Sequence, residues 1–377
     1  MLSSECRKEI IDLINREVVP AMGCTEPIAV SLCTAKAVEI LGRKPEQIKV
    51  YLSPNVLKNA MGVGIPGTDM IGLPIAIALG ALIGKTEYQL EVLRDVTPEA
   101  VAQGREMIDD GRVQVGVKDG DCETLYIEAQ AFAEGECATA VIAGSHTNFV
   151  YLTKGEQVLL DNRIPASAAA DVKHVDLTLR TVWEFATTSP IEELSFILEA
   201  RRLNKAAADE SLRGKWGHCL GRTIRESDGS HRILGDTILS HMVGYTSAAC
   251  DARMGGAKIP VMSNSGSGNQ GIVSTLPVVV YAEDTGATEE QLIRALILSH
   301  LTVIYIKQSL GRLSALCGCV VASTGSSCGV TYLMGGGYEE VAMAVKNMVA
   351  TLTGMICDGA KPSCALKLSS SVSTAVM

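Results

Sequence analysis

Three cysteines towards the end of the chain have residue type and setting suited to a soft metal. Cys357 and Cys364 stand in GMICDGAKPSCALK (354–367), with Asp358, Gly359 and Pro362 between them. Glycine permits tight backbone geometry and proline fixes φ, so the stretch reads as a loop. Two cysteines on such a loop can wrap a metal, and Cys317, upstream in GRLSALCGC, is a third candidate. Thiolates suit zinc and iron–sulfur clusters. The paired CxxC spacing usual for zinc is absent, which favours iron–sulfur. The alternative is that all three are small buried residues, since free cysteine is commonly buried and inert.

A fourth cysteine has a different setting. In AMGCTEPIAVSLCTAKAVEIL, Thr25 reads as an N-cap, Glu26 suits a first helical turn and Pro27 is tolerated there. Cys24 then sits just before a helix N-terminus, where the dipole favours a thiolate. The competing reading is a packed small residue. After a strand at IKVYLS (48–53), the segment PNVLKNAMGVGIPGT places Asn55, Lys58 and Asn59 before a glycine-rich loop. A strand end feeding such a loop is a common place for small-molecule contacts, and an ordinary turn is the alternative. It matches neither GxxxxGK[ST] nor GxGxxG. His146, in SHTN (145–148) between two strands, is either a substrate or proton-transfer group or a structural histidine. SNSGSGNQG (263–271), with Ser263, Asn264, Ser265 and Asn269, can present amides and backbone N–H groups to a carboxylate. Apolar segments on both sides argue that this loop is buried, against a flexible linker.

Positioning these groups requires a folded frame, and the composition supports one. The 377 residues are 47% hydrophobic and 20% charged, enough for a sizeable core. A net charge of −9 without a basic cluster gives no electrostatic case for nucleic acid or an anionic membrane. The opening MLSSECRKEIID is polar where a secretory h-region would begin. The apolar run 71–83 is too short and too interrupted to span a bilayer, and reads as a buried helix. Twelve cysteines without a secretion signal indicate a reducing cytoplasm.

Helical spacing marks residues 5–18, 86–110, 177–187, 191–208, 233–249, 289–310 and 338–356, while 112–160 alternates in strand fashion. The 289–310 segment is apolar almost all round, and its His300 reads as core. The expected fold is α+β: a mainly helical part with a smaller β-rich α/β part. The polar stretch 161–175 is the expected break, dividing 1–165 from 166–377.

Taken together, GCTEP (23–27), SPNVLKNAMGVGIPGT (53–68), SHTN (145–148), DARMGGAKIPVMSNSGSGNQG (251–271), RLSALC (312–317) and GMICDGAKPSCALK (354–367) resemble the L-cysteine desulfidase family. That family is similar to the iron–sulfur L-serine dehydratases. The resemblance covers nearly the whole chain, in order. It implies a 4Fe–4S cluster held by Cys317, Cys357 and Cys364, with Cys24 as the catalytic base. Cys319 and Cys328 do not match family positions and are expected to be structural. The implied reaction is α,β-elimination of L-cysteine to pyruvate, ammonia and sulfide, without pyridoxal phosphate. L-serine dehydration at the same cluster and a non-catalytic iron–sulfur sensor are the rival readings. Asn55, Lys58, Asn59, His146, Ser263, Asn264, Ser265 and Asn269 are the expected substrate-binding groups. Family members usually run on past the position of Met377, where this chain stops within a helical pattern. The sequence fixes no oligomeric state, and a homodimer is carried as the expectation.

Overall fold

A computed structural model describes residues 2–163, 175–226, 234–311 and 314–377. The first helix, α1 (Ser4–Glu17), starts where the Ser3 hydroxyl accepts from the Cys6 backbone N–H, and it buries Ile10, Leu13 and Ile14. There follow β1 (Pro20–Met22), α2 (Thr25–Leu41), β2 (Gln47–Leu52), α3 (Pro54–Ala60), β3 (Gly64–Ile65), β4 (Met70–Ile71), α4 (Leu73–Ile83) and α5 (Pro98–Asp109). The strands β5 (Val113–Val117), β6 (Tyr126–Ala133), β7 (Glu136–Ala143), β8 (Phe149–Lys154) and β9 (Gln157–Asp161) complete the β-rich part. The remainder is α6 (Leu179–Thr188), α7 (Leu198–Arg213), α8 (Leu220–Glu226), α9 (Ile238–Met254), β10 (Pro260–Met262), α10 (Gly268–Thr285), α11 (Glu289–Leu310), α12 (Gly318–Leu333), α13 (Tyr338–Leu352) and α14 (Cys364–Val376). The fold is α+β.

The main sheet runs in the order β5-β2-β6-β7-β8-β9, with β2 parallel to β5 and the other neighbours antiparallel. Alternation on β2 and β6 buries Ile48, Val50, Leu52, Ile127, Ala129 and Ala131. These pack with α2 and α4 in one core, while a second core joins α1 to the helices α6–α12 and α14. Residues 4–24 therefore go with the helical core, through β1 pairing antiparallel with β10 and a two-bond Arg7–Glu193 ion pair at 2.9 and 3.0 Å. The break expected at 161–175 falls mostly on 164–174, outside the described residues.

The run 71–83 forms α4, which is buried against α2, where the Ser31 hydroxyl donates to Ala76 O at 2.8 Å. No helix among the described residues is long and apolar enough to cross a membrane. Some elements differ from expectation. Residues 54–60 are helical, because Ser53 accepts from Val56 N and Pro54 takes the first turn. The expected 86–110 helix is a 3-10 turn (Thr86–Glu91) followed by α5. The helix expected to reach residue 356 ends at Leu352, because Ile356 is drawn into an antiparallel bridge with Leu316.

Candidate active site

The α2 N-terminus carries the first half of the site. Its N-cap is Cys24, not Thr25 as the residue preferences suggest, and Cys24 makes no side-chain capping bond. The thiol instead donates to Glu26 Oε2 at 3.0 Å, with Asn59 O at 4.0 Å. Asn59 Nδ2 donates to the other carboxylate oxygen, Glu26 Oε1, at 3.0 Å. The Thr25 hydroxyl lies 3.0 Å from both Glu26 Oε2 and Gly266 O. Burial pushes the Cys24 thiol well above its ordinary value, the Glu26 charge adds to this, and Arg253 only partly opposes it. The helix dipole does not win here, so the thiolate expected from it is corrected: the resting group is a thiol. Burial also pushes Glu26 up, but nearby His146, the Cys24 hydrogen bond, the Glu26 backbone N–H and Arg253 outweigh it. Glu26 lies below its ordinary value and is a carboxylate.

Arg253 ties this end of α2 to the 263–271 loop. Its Nε donates to Gly23 O at 3.1 Å and its Nη1 to Asn269 Oδ1 at 3.0 Å. It is 2% exposed. Along the loop, the Ser263 hydroxyl donates to Val19 O at 2.6 Å and the Ser265 hydroxyl to Asn264 Oδ1 at 2.8 Å. Asn264 Nδ2 donates to His300 Nδ1 at 3.1 Å, leaving Nε2 to donate to Thr275 Oγ1 at 3.0 Å. Burial lowers His300 to about 3, so it is neutral, in keeping with a core residue. Ser263, Asn264 and Ser265 thus hold the loop's shape, and Asn269 aims the guanidinium.

The start of α10 passes so close to β10 that a Cβ on Gly271 would lie 1.9 Å from Met262 O. Gly271→Ala is expected to cost about 3 kcal/mol or more through backbone displacement, read as a lower urea midpoint with unchanged slope.

The second half of the site is built on the Leu316–Ile356 bridge. Cys317 N donates to Met355 O at 3.0 Å and Cys357 N to Ala315 O at 2.8 Å, so two of the three candidate ligands sit on paired strands of chain. Cys317 is also the N-cap of α12, and Cys364 opens α14. Cys364 is pushed up chiefly by burial, with the charges of Cys317 and Cys357 adding to it, and its thiol lies 3.7 Å from Gly359 O on the loop that follows Cys357. The Cys317 thiol is held low, first by the hydrogen bond from Cys319 and, against its burial, by the Cys319 backbone N–H and Lys367. Cys319, left as structural on sequence, therefore touches a candidate ligand. Cys328 is buried further along α12, near Thr302 and Ser327.

Lys58 Nζ donates to Cys357 O at 3.4 Å, and Gly359, at φ +97°, has room only for hydrogen because a Cβ would lie 2.1 Å from Lys58 O. Thus α3 carries Asn59 to Glu26 and Lys58 to the cysteine loop. Asn55 is half-buried at the start of α3. A surface cleft of about 610 Å³, lined by Ala35, Glu39, Gly80 and Lys85 among others, contains none of these residues.

A family model described as serine dehydratase alpha chain matches residues 87–377. The chain belongs to the serine dehydratase alpha chain family. It is also 66% identical over 376 residues to a UPF0597 protein of Phocaeicola vulgatus, covering 100% of this chain and 87% of that one. A UPF0597 protein of Bacteroides fragilis is 65% identical over 377 residues, covering 100% and 88%. One of Bacteroides thetaiotaomicron is likewise 65% identical, covering 100% and 87%.

The part matched to the serine dehydratase alpha chain holds His146, Arg253, the 263–271 loop and the three cysteines; Cys24, Glu26 and α3 precede it. Members of this family are typically iron–sulfur dependent, and the donor set here fits such a group. Cys317 and Cys357 flank one backbone bridge, and Cys364 opens a helix seven residues beyond Cys357, so three soft sulfur donors are set on one loop system. Among the described residues no three His, Cys, Asp or Glu are set to hold a single metal ion. A cluster spreads its ligands over several irons and needs no such cage. The buried acceptors Asn59 Oδ1 and Gln270 Oε1 have no hydrogen-bond partner among the described residues. Asn59 adjoins Glu26, and Gln270 packs on Gly318, the neighbour of Cys317, so each half of the site keeps one acceptor unused. Glu26, Arg253 and Gln270 were not singled out on sequence. The signal for Glu26 was its place in GCTEP, read there as helix chemistry.

Proposed function

We propose that this protein is an iron–sulfur lyase that removes sulfide from L-cysteine, giving pyruvate, ammonia and sulfide. The observation that carries the reading is that the buried Arg253 guanidinium bonds Gly23 O, next to Cys24, at 3.1 Å and Asn269 Oδ1 of the 263–271 loop at 3.0 Å, and its charge partly offsets the upward shift of both the Cys24 and the Cys364 thiol. A buried guanidinium beside a candidate base suits the carboxylate of a small amino acid. Cys317, Cys357 and Cys364 would hold a 4Fe–4S cluster. When bound, such a cluster with one iron free of protein ligands supplies a Lewis acid at the leaving group.

The chain's own residues do the rest. Arg253, aimed by Asn269, binds the substrate carboxylate. Asn59 Oδ1 and Gln270 Oε1 accept from the substrate ammonium. Cys24 takes the α-proton, the Cβ–S bond breaks, and the resulting aminoacrylate tautomerises and is hydrolysed to pyruvate and ammonia. The enclosed site limits water during proton removal.

The family description favours a second reading, L-serine dehydration, in which hydroxide leaves in place of sulfide. An anaerobic assay of the reconstituted protein separates them. We expect sulfide from L-cysteine to form with the larger kcat/KM; pyruvate from L-serine forming faster would overturn the preference. Arg253→Lys is expected to raise KM by about tenfold or more with a smaller change in kcat, because a point charge replaces the planar fork. Unchanged KM would remove Arg253 from the carboxylate role.

A further inference from the structure

A base must be free of its proton, and Cys24 is held as a thiol in a site closed to bulk water. The charged groups acting on it are Glu26 on its own helix and Arg253 from α9; those acting on Glu26 also include His146 from the turn after β7. Glu26 is the titratable group in hydrogen-bond contact with the sulfur among the described residues, at 3.0 Å, the longer contact at 4.0 Å being to the Asn59 carbonyl; its second oxygen is pinned by Asn59 Nδ2 at 3.0 Å. Both residues are buried, Cys24 at 2% and Glu26 at 8% exposure.

We propose that Glu26 is the internal acceptor of the Cys24 thiol proton, so that the two act as a carboxylate–thiol dyad in the elimination. The inference rests on the base role of Cys24 given above. The S–H bond breaks, its electron pair stays on sulfur, and an O–H bond forms on Glu26 Oε2. One negative charge moves across the contact, and at no point do two anions face each other there. The thiolate then takes the substrate α-proton and becomes a thiol again. Glu26 gives its proton to the departing hydrosulfide, which leaves as hydrogen sulfide, and the S–H···O⁻ pair is restored. No outside acid or base enters the cycle. Asn59 and Thr25 are positioning residues that hold the carboxylate against the sulfur.

This arrangement has a signature that a merely structural glutamate lacks. The Glu26 charge favours the protonated thiol, so Glu26→Gln eases ionisation of Cys24 while removing its proton acceptor. Two measurements read the two effects separately. The first is the rate of Cys24 alkylation by iodoacetamide in the cluster-free protein, mapped by peptide mass spectrometry across about pH 6–10. The second is the pH profile of L-cysteine turnover by the anaerobically reconstituted protein. We expect Glu26→Gln to alkylate faster at Cys24 near neutral pH. It should turn over about 10²-fold or more slowly there, regaining rate as rising pH ionises the thiol directly. Turnover matching the unsubstituted protein, turnover equally low at every pH, or an unchanged alkylation rate would each overturn the dyad. Should Glu26→Gln not fold, Glu26→Asp keeps the carboxylate at greater reach. It should retain a reduced rate with the original profile shape, and an inactive folded Glu26→Asp would count against the proposal. Failure of the base reading appears separately, as Cys24→Ala turning over normally, and the alkylation comparison still reads the dyad on its own.

Discussion

Replacing any one of Cys317, Cys357 and Cys364 by alanine is expected to abolish stable cluster uptake and with it turnover. The measurement is iron and acid-labile sulfide content, with visible absorbance, after anaerobic reconstitution. Losing a Lewis acid removes several kcal/mol of charge stabilisation, so turnover should fall by about a thousandfold or more. The three sites differ in what else the substitution disturbs. Cys317 and Cys357 are held by backbone bonds across the Leu316–Ile356 bridge, which alanine leaves in place. Cys364 is buried at the start of α14, with its thiol 3.7 Å from Gly359 O. Cys328→Ala is the control: that thiol lies deeper along α12 beside Thr302 and Ser327, and the cluster should form normally without it. A brown, iron-replete Cys357→Ala protein would sink the ligand assignment. So would loss of iron in Cys328→Ala.

Much of the frame could be read from local pattern, because it is set by local physics. The apolar periodicity of α11 and the alternation of β6 and β7 need no distant partner to be recognised. His300 reads as core for the same reason, since it sits in a helix apolar on nearly all sides, and burial does keep it neutral. What local pattern misses is decided by contacts between distant residues. Cys24 at a helix start reads as a thiolate, but its ionisation is governed by dry packing and by Glu26. Glu26 reads as a favourable first-turn charge, and only Asn59, 33 residues on, and His146 turn it into part of a site. Ser263, Asn264 and Ser265 read as ligand-binding groups, yet their partners are Val19 and His300 and each other. Arg253 stood inside a motif without a role, because nothing local to α9 reveals that its guanidinium reaches Gly23 and Asn269.

Cys24→Ala should keep the cluster and lose turnover. The residue lies outside the three-cysteine group and its sulfur contacts Glu26, so its removal takes away no candidate ligand. If Cys24 is the general base, turnover should drop by about 10²–10⁴-fold, the usual worth of positioned proton transfer. The drop should fall on kcat, with KM little changed, because the α-proton contact matters at the transition state more than in binding. Stability should change by only about 1 kcal/mol, since one sulfur is removed from a packed site. Cys24→Ser sharpens the test: it keeps a donor towards Glu26 and nearly the same volume, but an alcohol is far harder to ionise than a thiol. It should fold as well as the unsubstituted protein and be about as inactive as Cys24→Ala. Two outcomes point elsewhere. A changed cluster spectrum in resting Cys24→Ala would make Cys24 a ligand. Sulfide release at the unsubstituted rate would end the base role, and His146, already within electrostatic reach of Glu26, would be the next residue to substitute.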